Sequence, residues 1–164
     1  QEFGQLAEGS EGRELDWWLL EQPSHAQLQD FIGEMNRTYR AQSPLWERDN
    51  DGSSFSRLGA PSWESTVIAF ERRDAHGGRL VVVSNFAGVE RTGYQLTLPR
   101  EGVWQEVLNT DAADYGGRGS GNLGLVYAKP SEGGAPLATL TLPALSTLWL
   151  RYQSDPHVPT VNHG

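Results

Sequence analysis

Between Asn109 and Gly124 the chain reads NTDAADYGGRGSGNLG, and Gly119, Gly121 and Gly124 within it fit the spacing G-x-G-x-x-G. In a dinucleotide fold such glycines let the backbone approach a pyrophosphate held at a helix N-terminus. That chemistry needs a strand directly before the glycines and a helix opening at the third. Here the strand-like VWQEVLNT ends at Thr110, well before Gly119, and LVYAKP, a strand pattern closed by Pro130, follows Gly124. No lysine lies in the loop, so a P-loop is excluded as well. The stretch therefore reads as a long connection between two strands with several positive-φ positions. Asn109, Asp111 and Asn122 are placed either to bind backbone groups within the loop or sugar hydroxyls outside it.

Other chemistries find less footing. The histidines, His25, His76, His157 and His163, are scattered, and only the last two have a spacing near that of metal ligands. No G-x-S-x-G stands between a strand and a helix, so a nucleophile elbow is missing. Carboxylates gather near the start, at Glu2, Glu8, Glu11, Glu14 and Asp16. A retaining glycosidase needs two carboxyl groups about 5–5.5 Å apart across the scissile bond, and a solvated acidic loop is the simpler reading of this cluster. Of the six tryptophans, Trp104 and Trp149 fall in strand patterns and are assigned to the core. Trp17, Trp18 and Trp63 lie outside strands and are the candidates for a surface or interdomain contact, including one with the apolar face of a sugar.

Behind these residues stand the elements that must position them. Residues 24–42 predict a helix: Ser24 and Gln27 have capping-box spacing, and Leu28, Phe31, Ile32, Met35 and Tyr39 line one face before Pro44. One apolar stripe on a helix needs a partner surface. From about Ser54 the period becomes two, with expected strands at 65–73, 79–86, 93–99, 103–110, 123–130, 137–143 and 145–152. HGG, REG and SEGGAP punctuate them, so the fold class is mainly β, an antiparallel β-sandwich or barrel. Residues 153–164 read as a flexible tail. The 164 residues carry a net charge of -8, which disfavours nucleic acid and anionic membranes as partners. There is no cysteine, in keeping with a reducing cytoplasm. The chain opens QEFGQ without methionine, and we expect it to be part of something longer.

The ordered set QEFGQ, LDWWLLE, MNRTYR, SPLWERD, VVVSNFAGVER, VWQEVLNTDAADYGG with GSGNLG, and LTLPALSTLWL resembles the C-terminal part of bacterial glycogen branching enzymes, the 1,4-α-glucan branching enzymes of the α-amylase superfamily. The resemblance implies that residues 1–43 are the end of a catalytic (β/α)8 barrel: the last strand's end, a loop on the catalytic face, and the last helix. It implies that 44–152 are the C-terminal all-β domain. The barrel's earlier segments would then be the partner of the helix stripe. The parent would cleave an α-1,4 glucan, hold a glycosyl-enzyme intermediate, and pass the chain to a 6-hydroxyl, with no metal or organic cofactor. The superfamily's catalytic carboxylates all precede the segment matched here, so no residue of this chain is named catalytic. Glu2, Asp16, Trp17, Trp18 and Trp63 are the candidates for the active-site rim or for glycan contact. Gly9 and Arg57 stand where these enzymes usually carry tryptophan, so no glucan contact is carried over to those positions. The alternatives are a free-standing glycan-binding β module and an accessory domain of a related trehalose-type enzyme.

Overall fold

The computed structural model describes residues 2–6, 12, 14–59, 66–132 and 134–153. After a 3-10 turn at Trp17–Glu21 comes the helix α1, Pro23–Ala41. The strands are β1 (Phe55–Leu58), β2 (Val67–Arg73), β3 (Arg79–Asn85), β4 (Arg91–Thr97), β5 (Gly102–Asn109), β6 (Leu125–Ser131), β7 (Gly134–Leu142) and β8 (Ser146–Tyr152). All seven expected strands are present, each within three residues of the expected bounds. β1 is additional.

The strands form one antiparallel sheet in the order β1-β2-β3-β8-β5-β6-β7-β4. The expected sandwich is thus a single sheet curled on itself. β7 and β8 touch although β5 and β6 lie between them in the ladder. Leu96, Leu140 and Leu142 of one arm share a core cluster with Val81, Val83 and Leu148 of the other. Period two explains which residues enter it: Val67 and Ala69 of β2, Val81 and Val83 of β3, and Leu148 and Leu150 of β8 all point inward. Burial of each Val or Leu side chain contributes about 1.5–3 kcal/mol. Trp104 is fully buried there, its indole N–H donating to the Arg100 carbonyl at 3.1 Å.

β3 is covered on both faces. Leu80 and Val82 point away from the main core and pack with Leu45, Phe70, Val107 and Trp149. Trp149 is therefore half-buried on the second face, while Trp104 lies in the main core. Asp74, in the β2–β3 turn, holds the covering segment in place by accepting from Ser43 Oγ at 2.6 Å, and it also accepts from the backbone of His76 and Gly78.

α1 starts one residue earlier than expected, and the expected capping box is not used. Pro23 occupies the first turn, where its missing N–H costs nothing, and Gln22 is the N-cap without a side-chain hydrogen bond. The apolar stripe is real but poorly covered: Phe31, Ile32 and Met35 are half-buried, Leu28 and Tyr39 are exposed, and Thr38 is the helix's buried residue. No helix among the described residues is long and apolar enough to cross a membrane.

Candidate functional site

The tryptophan pair sits on the 3-10 turn just ahead of α1. Such a turn has about three residues per revolution, so consecutive side chains diverge by about 120°. One in three can point inward, and Leu19 does so, at 1% exposure. Trp17 and Trp18 consequently face outward, at 56% and 54% exposure. Trp17 stacks on Phe3, ring centroids 5.5 Å apart at 24°. Phe3 is itself buried and is anchored by His25, whose Nδ1–H donates to the Phe3 carbonyl at 2.7 Å. Asp16 is buried at the head of the turn, its carbonyl accepting from Leu19 N at 2.9 Å. Glu2 is exposed beside Phe3. The structure thus gathers Glu2, Asp16, Trp17 and Trp18 at one end of α1. Trp63, like Gly9, lies outside the described residues. Arg57 is exposed on the edge strand β1, in register with Phe70.

The glycine loop is built from β5 outward. A bulge between Glu106 and Leu108 shifts the pairing with β8 by one residue. Without it, Glu106 and Asn109 would point to opposite faces; with it, Asn109 Nδ2 reaches Glu106 Oε1 at 3.2 Å and the Ser120 carbonyl at 2.7 Å. Asp111 accepts from the Arg118 and Ser120 amides. Asn122 pairs with both backbone groups of Thr141, at 2.8 and 3.1 Å, and donates to Glu106. The polar side chains therefore bind backbone and one another, within the loop and onto β5 and β7, which supports the first of the two readings left open by the sequence. Gly119 adopts φ +73, and a Cβ on Gly117 would lie 2.2 Å from the Asp111 carbonyl oxygen. The glycines serve turn geometry and close approach, and no helix opens after Gly124, where β6 begins at Leu125.

The loop also receives α1. Phe31 and Tyr115 bring their rings to 5.3 Å at a 60° tilt. Burial raises the Tyr115 phenol above its ordinary value, with Glu34 and Asp114 adding to the effect and Arg37 opposing it. Sequence reasoning missed Phe3, His25 and Glu106 as organising residues. None carries a motif, because each acts through tertiary contacts alone.

Residues 61–153 match the alpha amylase C-terminal all-beta domain, which is more than half of the chain. The chain belongs to this family. Beyond the domain itself, it is 46% identical over 153 residues to the 1,4-alpha-glucan branching enzyme GlgB of Leifsonia xyli subsp. xyli, covering 92% of this chain and 21% of that relative. It is 47% identical over 151 residues to the enzyme of the same name from Rhizobium meliloti, covering 92% of this chain and 20% of that relative. The chain thus spans about a fifth of the length of the curated relatives it matches. Among solved structures, the catalytic module of the multi-modular glycogen-degrading pneumococcal virulence factor SpuA superposes with a TM-score of 0.57 at 15% identity, over 85% of this chain and 20% of that one. The Group B Streptococcus pullulanase SAP gives 0.55 at 15% identity, over 84% and 18%. These two show a likeness of fold to this chain.

Proposed function

We propose that this chain is the C-terminal part of a 1,4-α-glucan branching enzyme, cytoplasmic, whose upstream barrel breaks α-1,4 linkages and rejoins the released chain at a 6-hydroxyl. The observation that carries the reading is identity of 46–47% across about nine-tenths of the chain to relatives named as such, including the residues ahead of the β domain. In this reading residues 1–43 complete the barrel and 44–152 form the all-β domain that braces it. The half-covered stripe of α1 supports that division, since a stripe of this kind gains from burial against a second surface. The barrel is its occupant. Glu2, Asp16, Trp17 and Trp18 form part of the rim around the glucan.

The test is to express the natural full-length polypeptide and this chain separately, and incubate each with amylose. The full-length protein is expected to lower iodine colour and raise α-1,6 linkages, and this chain is expected to do neither. A full-length protein that hydrolyses amylose without forming α-1,6 linkages overturns the reading. In the full-length protein, Trp18→Ala is expected to raise the KM for amylose several-fold if the rim assignment holds.

A further inference from the structure

On the outer face of the sheet, β6 and β7 stand over an open groove of about 440 Å³ lined by Leu125, Tyr127, Lys129, Leu137 and Thr139, none of them a residue of the tryptophan turn. We propose that this groove is a separate binding site for a linear stretch of α-1,4-glucan, with Tyr127 as its platform. The choice of ligand class rests on the branching-enzyme reading; the location and the chemistry rest on the strands themselves.

The groove follows from how β6 pairs. Its first half is in register with β5, Val103 with Tyr127 and Gln105 with Leu125. Its ladder with β7 begins only at Ala128 opposite Ala138. Ahead of that point β7 takes its pairing elsewhere: the Asn122 side chain satisfies both backbone groups of Thr141. A recess is left beside the first half of β6. Alternation turns Val126 and Ala128 into the core and leaves Tyr127 outside at 58% exposure, with Leu125 beside it at 43%. Neighbouring strands bring uncharged polar groups to the same face: Gln95 lies in register with Thr139, Thr97 with Leu137, and Gln105 with Leu125.

This set selects its ligand. Among the described residues the lining holds no carboxylate although the chain has 21 Asp and Glu residues, and Lys129 is its one charge. A net charge of -8 keeps anionic polymers away. A peptide strand would need a longer unpaired sheet edge, whereas only Leu125–Tyr127 of β6 precede its ladder with β7 and both strands are otherwise interior, between β5 and β4. A neutral, hydroxyl-rich chain with apolar sugar faces fits an exposed tyrosine flanked by threonine and glutamine.

The 164-residue chain is run on native gels with and without glycogen, and titrated calorimetrically with maltoheptaose. Retardation by glycogen is expected, with Tyr127→Ala weakening it at least fivefold and Tyr127→Phe keeping most of it. Phe86→Ala, an exposed aromatic just after β3 and outside the groove lining, is expected to leave it unchanged. Circular dichroism confirms that each variant keeps the fold, as exposed positions should. Absence of glycogen binding by the unmutated chain overturns the proposal and leaves the branching reading intact, because the latter is judged on the full-length protein's products. Equal retardation of Tyr127→Ala, or loss with Phe86→Ala, overturns it too.

Discussion

Phe31 of α1 and Tyr115 of the glycine loop meet at 5.3 Å and 60°, and this contact is where the helix is tied to the β domain's long connection. Neither core cluster contains a residue of α1. Tyr115→Ala is expected to loosen the helix, with a loss of about 0.5–1.5 kcal/mol beyond the buried area. Hydrogen exchange should accelerate in α1 and remain slow in β3 and β8. Exchange that rises equally in both places would show that the helix is integral to the core.

Glu71 lies in the sheet at 2% exposure, paired with Arg73 and Arg79. Removing one member of a buried pair leaves charge without its counterpart, which costs about 3–5 kcal/mol. Glu71→Gln is expected to lower the urea midpoint accordingly. A change below about 1 kcal/mol would mean the arginines relax to solvent.

Acid should weaken the chain through two aspartates. Hydrogen bonds from Ser53 and Arg48 hold the Asp51 carboxyl down to about 2. At Asp74 burial pushes upward, but the hydrogen bonds from Ser43, Gly78 and His76 outweigh it and the pKa lies below its ordinary value. Both folded values are below the unfolded ones, so their contribution is complete above about pH 4 and disappears as pH falls through the folded pKa values. Urea midpoints at successive pH values should fall on the acid side, and Asp74→Asn should flatten that decline while lowering stability at pH 7.

Two positions in the glycine loop should respond in opposite senses. Gly117→Ala meets backbone at 2.2 Å and is expected to be strongly destabilising. Leu123 has φ +56 and is fully exposed, so Leu123→Gly relieves about 1–2 kcal/mol of strain, less the entropy glycine adds to the unfolded chain. A raised thermal midpoint is expected. Saturating ATP or NAD should leave that midpoint unchanged; a saturable rise removed by altering Gly119 would revive the nucleotide fingerprint.

The strands were legible because alternating Val, Leu and polar residues between turn signals report burial on one side directly. β1 was not, since FSRL at an edge has only Leu58 packed against the core. The capping box misled because Pro23 sets the first turn by its ring geometry before Ser24 can act. Strand order could not be read at all: nothing local in STLWLRY places it between β3 and β5. The same holds for the rim and the groove. Trp17 and Trp18 could be seen to lie outside strands, but their exposure depends on Leu19 turning inward, and Tyr127 gains its recess from Asn122 pairing with a distant strand.

The position of β8 has a consequence for how the chain is made. β8 is the last of the described strands in sequence yet joins β1-β2-β3 to β5-β6-β7-β4. Its pairing with β3, Leu80 with Arg151 and Val83 with Leu148, closes a long loop before any reward arrives. A nascent chain that has emerged only as far as Leu142 holds two half-sheets, each with an apolar strand edge open, β3 in one and β5 in the other. Those edges are the surfaces most prone to pair wrongly with another molecule. Emergence of Tyr152 from the ribosome is therefore the event that unites the sheet, and a chain ending in the β7–β8 turn is a sticky intermediate rather than a smaller stable domain.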